Sequence, residues 1–119
     1  MSNVAGEIVV PDRAPTVSGT QVVVRVRDIT YSDAPVVRPV AQQNVVADVA
    51  PGARIPFSID VPDDALAKVA TREMELNLEV HVDLDGSGNF SPGDLVSLRP
   101  HPVGPDSPGA PMRIPLTLV

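Results

Sequence analysis

Fourteen prolines are spread through 119 residues, and they fall between valine-rich runs instead of collecting in one segment. Each proline removes a backbone donor and breaks a helix interior, so a helical bundle is excluded. Short strands with proline-bearing connections tolerate that spacing. The runs between the prolines carry strand periodicity. Val22, Val24 and Val26 fall on one face of a segment whose other face holds Gln21, Val23, Arg25 and Arg27. Leu76, Leu78, Val80 and Val82 alternate with Asn77, Glu79 and His81 in the same way. The expected architecture is all-β: a single β-sandwich domain over residues 1–119, built of about seven short, mainly antiparallel strands. A chain this long can bury roughly two thirds of its unfolded surface.

The expected strands cover residues 7–10, 20–29, 42–47, 55–61, 74–82, 95–98 and 112–118. Residues 31–35, with the turn former Asp33-Ala34-Pro35, reverse the chain, and Pro51-Gly52 makes a second turn. Asp63 can cap a helix that Ala65, Leu66, Ala67 and Lys68 propagate, for two turns at most. Ile55 and Phe57 share a face and are core candidates, while Pro56 between them points to a sheet edge. Residues 100–111 hold five prolines. They read as a long exposed connection in preference to a polyproline ligand for a partner domain.

A net charge of −6, with nine scattered basic residues, argues against nucleic acid and against anionic lipid. There is no cysteine, which excludes disulfides, thiolate catalysis and cysteine-based metal sites. No apolar run approaches the ~20 residues that span a bilayer, so membrane insertion is not expected. The first residues show no signal-peptide pattern. The location expected is the cytoplasm if the chain is complete, and the envelope or periplasm if a leader has been removed.

The segment Asp83-Leu84-Asp85-Gly86-Ser87-Gly88-Asn89-Phe90-Ser91-Pro92-Gly93-Asp94 has the ligand spacing of an EF-hand calcium loop. Asp83, Asp85, Ser87, Ser91 and Asp94 stand at positions 1, 3, 5, 9 and 12. Asn89 at position 7 offers its carbonyl, and Gly88 at position 6 allows the sharp turn. Strand periodicity before it and Arg99-Pro100 soon after it rule out flanking helices. The expected feature is an EF-hand-like loop on a β-hairpin, with calcium as its structural ion and magnesium as a competitor, because Asp94 stands where Glu is usual. The plain alternative is a solvated acidic turn, which Asp, Gly and Ser also form.

Three groups of residues carry a resemblance to a known family. They are Val24-x-Val26-x-Asp28-Ile29-x-x-Ser32-Asp33-Ala34-Pro35, then Gln42-Gln43, then Gly52-x-x-Ile55-Pro56-Phe57. Together they resemble the YbaY-type lipoprotein family, which is related to the lipoprotein chaperones (pilotins) of type III secretion. The similarity runs from about Gly6 to the last strand. It implies a β-sandwich without enzymatic activity and, in the pilotin branch, help in delivering or assembling an outer-membrane secretin. This chain differs in lacking a lipid-accepting cysteine and in carrying the acidic loop.

Catalysis needs a convergent acid, base or nucleophile. The two histidines are His81, on the polar face of a strand two residues before Asp83, and His101, between two prolines. Three functions follow as expectations. The first is a non-enzymatic module with a structural calcium loop, acting through contacts with an unidentified protein. The second is a pilotin-like chaperone that takes up a partner segment in an apolar groove or on an open sheet edge. The least supported is a hydrolase built on Asp83, Asp85 and His81. Exposed edges near residues 112–118 or 7–10 would permit a homodimer.

Overall fold

The computed structural model describes residues 1–30, 39–84 and 92–119. Its two longest alternating segments form the centre of one sheet. Strand β2 (Val17–Asp28) runs antiparallel to β5 (Leu76–Asp83), with Val22 opposite Val82, Val24 opposite Val80 and Val26 opposite Leu78. All six side chains are buried, so the period-2 pattern of each strand places one apolar row in the core. β3 (Pro39–Val49) extends the sheet on the far side of β2. β6 (Leu95–Val96), then β9 (Thr117–Leu118), extend it beyond β5, and β7 (Pro102–Val103) pairs with the start of β5.

The second sheet has three strands in the order β4-β1-β8. β1 (Ser2–Val9) is antiparallel to β4 (Arg54–Val61) and parallel to β8 (Met112–Pro115). Val4 and Ile8 of β1, Ile55, Phe57, Ile59 and Val61 of β4, and Ile114 of β8 pack with the valine rows of the larger sheet into one core. Helix α1 (Asp63–Ala70) follows β4 after Pro62 and adds Ala65 and Leu66 to that core. The result is an all-β sandwich.

The turn at Pro51-Gly52 has the type II pattern, with Gly52 at φ 72° and a bond from Ala53 N–H to the Ala50 carbonyl. It carries the chain from the larger sheet to the smaller one. Pro56 does mark an edge, since β4 is an outer strand.

Five expectations are corrected. The described residues contain nine strands, not seven. Residues 112–118 are two strands: β8 belongs to the small sheet and β9 to the large one, and Pro115 and Leu116 make the crossing, with Leu116 N–H bonded to the Val9 carbonyl. Residues 7–10 offer no edge for a dimer, because β1 is paired on both sides. Residues 100–111 are not simply an exposed connection, since Val103 is buried and β7 holds a place in the ladder. The strand expected over 95–98 stops at Val96, where Ser97 Oγ accepts from Val80 N–H and takes over the next ladder position. The turn expected over residues 31–35 lies outside the described residues.

Candidate functional site

Two places on the sandwich have the makings of a site. The first is the base of the acidic loop. Asp83 is the last residue of β5, and Asp94 immediately precedes β6, so the strand pair holds the two ends of the twelve-residue segment together. Asp94 is fully buried. Its Oδ1 accepts from Leu84 N–H at 3.0 Å, and its Oδ2 lies 2.9 Å from His81 Nε2, whose N–H donates to the carboxylate. Both oxygens of the expected twelfth ligand are thus taken up by protein donors, and this ties β5 to the residue before β6.

Asp85, Ser87, Asn89 and Ser91, the ligands expected at positions 3, 5, 7 and 9, lie outside the described residues, as does Gly88. Among the described residues no group of three or more His, Asp or Glu side chains is placed to hold a metal ion. His81 shares a strand face with Asp83, but its contact with Asp94, thirteen residues further on, depends on the β5–β6 pairing.

The second place was not anticipated from the sequence. A cavity of about 460 Å³ opens where the end of α1 meets the start of β5 and the proline segment. Its walls are mainly apolar: Ile29, Val69, Met74, Leu76, Pro100, Pro102 and Val103, with Arg72, Glu75 and Asn77 supplying polar groups.

Each wall is fixed by backbone chemistry. α1 ends in a Schellman arrangement, with Arg72 N–H bonded to the Val69 carbonyl and Glu73 N–H to the Lys68 carbonyl. Arg72 takes the left-handed conformation there, at φ 62°, where glycine is usual. This turn sends the chain back towards the sheet and leaves Val69 and Met74 on the cavity. Ile29 N–H bonds to the Glu75 carbonyl, and Glu75 N–H to Thr30 Oγ1, which fixes the end of β2 against the start of β5. Asp28 Oδ1 accepts from both the backbone N–H and the hydroxyl of Thr30.

On the remaining side His101 bridges to β5. Its N–H donates to Asn77 Oδ1 at 2.6 Å, and its carbonyl accepts from Leu78 N–H at 2.9 Å. Partial burial, reinforced by the neighbouring Arg99 charge, holds the His101 imidazole pKa below its ordinary value. Its Nε2 is buried and has no hydrogen-bond partner among the described residues. Through its backbone His101 thus ties the proline segment to β5 beside the cavity.

With apolar walls and polar groups confined to Arg72, Glu75 and Asn77, the groove suits side chains of a peptide better than a small polar substrate. The lining comes from four separate chain segments, so no local motif could have revealed it.

No protein-family model matches the sequence, and no curated protein does. Among solved structures the chain is similar to an alternative pilotin from the type II secretion system of Vibrio cholerae, with a TM-score of 0.68 and 15% identity. The likeness covers 98% of this chain and 97% of that one. It shows a fold shared from end to end. The neighbour is a pilotin of type II secretion, whereas the sequence resemblance is to those of type III; at this identity the likeness shows the fold, and no family model extends it to the YbaY-type family.

Proposed function

We propose that this protein is a pilotin-like chaperone without enzymatic activity, which takes up an apolar segment of a secretin or a similar envelope protein in the groove beside α1. The observation that carries the reading is the likeness to a pilotin over nearly the whole length of both chains. The groove supplies a place for the contact. A short amphipathic segment, helical or extended, would lay a few apolar side chains against Val69, Met74 and Leu76, with Arg72 and Glu75 orienting its polar edge. Calorimetric titration with the C-terminal peptide of the secretin encoded in the same genome tests it. Binding is expected, and Val69→Asp with Met74→Asp weakens it at least roughly tenfold at a temperature where circular dichroism shows the variant folded. A parent protein that does not bind the peptide overturns the reading.

We propose separately that the acidic loop takes a structural divalent cation, calcium in the first place. The ligand spacing supports this, as does the way Asp83 and Asp94 bracket the loop at the ends of a paired strand segment. Asp94 would then act mainly by closing the loop's base, leaving Asp83 and the intervening oxygens to face the ion. Calcium should raise the melting temperature and EDTA should reverse the rise, because a ligand bound only to the folded state stabilises it. A melting temperature indifferent to both removes the proposal.

A further inference from the structure

Among the described residues the larger sheet ends on β3, an eleven-residue strand whose one ladder partner there is β2. An unpaired strand edge is a template for another strand, and proteins block such edges with charges, prolines or brevity. The other outer strands here are blocked in those ways. β4 carries Arg54, Pro56 and Asp60, β8 carries Arg113 and Pro115, and β9 is two residues long. β3 is different. Its proline and its charge, Pro39 and Asp48, stand near its two ends; between them, from Val40 to Ala47, it reads Val-Ala-Gln-Gln-Asn-Val-Val-Ala, in a chain where a fifth of the residues are charged.

Among the described residues the outer side chains along this edge face solvent, with Arg25 donating to Gln42 Oε1. Gln42, Gln43 and Asn44 are exposed, and Val46 is 73% exposed. On the face turned to the core, Ala41, Val45 and Ala47 pack against the core and are only half-buried. Such an edge lacks the features that normally prevent pairing, and it leaves apolar surface that pairing would help to cover.

We infer that β3 is a self-association edge, on which a second copy of this chain adds its own β3 antiparallel about a two-fold axis and continues the sheet across both molecules. The occupant follows from self-complementarity. A two-fold contact sets the strand against itself, so any charge near its middle would meet a like charge. Residues 40–47 have none. Their amides both donate and accept, so Gln42, Gln43 and Asn44 can hydrogen-bond to the same residues of the other copy. For a foreign strand to be chosen instead, the edge would need a charge or a shaped pocket to select it, and residues 40–47 provide no charge. The inference is independent of the groove beside α1, which lies on other elements.

The test is the mass of the full chain in solution, by sedimentation equilibrium over a concentration series. The parent is expected to reach twice the mass of one chain. Asn44→Lys with Val46→Lys, both at exposed positions, should leave a monomer with an unchanged melting temperature and circular dichroism spectrum. Asn44→Glu with Val46→Glu should also be monomeric. An equimolar mixture of the Lys and Glu variants should return to the double mass, which a general disturbance of the surface would not produce. A parent that stays monomeric at every concentration overturns the inference and leaves the edge to a strand of another protein. Lys variants that still dimerise overturn it too, by placing the contact elsewhere.

Discussion

At the scale of single residues, the largest local commitment is Asp94, a fully buried carboxylate whose two oxygens meet Leu84 N–H and His81. Replacing it by alanine removes the carboxylate that two part-buried donors, Leu84 N–H and His81, bond to. That costs about 3 kcal/mol of stability, measured by urea denaturation, and the loss should appear with or without EDTA because it comes from the hairpin base. A loss seen only when calcium is present would instead give Asp94 a ligand's part. His101 gives a pH dependence whose sign is fixed by its burial. Its folded pKa lies below the ordinary 6.5, so the folded state resists protonation more than the unfolded chain does. Its contribution is intact above pH 6.5 and is lost as pH falls from there through the folded value. His101→Gln should flatten the stability profile in that window relative to the parent. An unchanged slope would mean that the ring is not desolvated as the fold implies.

At the scale of elements, the strands that the sequence made legible are those whose inward row is unbroken. Val22, Val24 and Val26 in β2 and Leu76 to Val82 in β5 announce themselves, as does the β4 row from Ile55 to Val61. β1 begins at Ser2, five residues before the expected start, because its inward row is Val4, Gly6, Ile8 and Gly6 interrupts the apolar signal. The structure explains that glycine. A Cβ at position 6 would stand 2.1 Å from the Met112 carbonyl oxygen, so the close approach of β8 at this end of the ladder requires glycine. Gly6→Ala should cost at least about 3 kcal/mol, seen as a fall of roughly 10 °C in melting temperature. A variant that melts with the parent would show that β8 can move away without loss. β7 and β9 escaped for a different reason. Two-residue strands carry no period, and their pairing is dictated by the sheet they join. The cavity escaped with them, because β7 forms part of its wall.

At the scale of the whole molecule, the first strand and the last but one meet in the small sheet, where Gly6 to Val9 lie parallel to Met112 to Pro115. β1 is therefore flanked by one strand from the middle of the chain and one from its end, and neither neighbour is local. Ile114 and Leu116 are core residues contributed by this last segment. The three-stranded sheet is thus completed only when the last segment docks, and without it β1 becomes an open edge above a core missing two apolar side chains. A chain ending before Met112 should lose cooperative unfolding and bind a hydrophobic dye. The intact chain should refold on the millisecond-to-second scale typical of non-local β pairing. Stopped-flow refolding reads the second expectation and a thermal melt the first. If the shortened chain melts in one sharp transition near the parent temperature, the small sheet is not what secures the core, and the groove beside α1 would rest on the larger sheet alone.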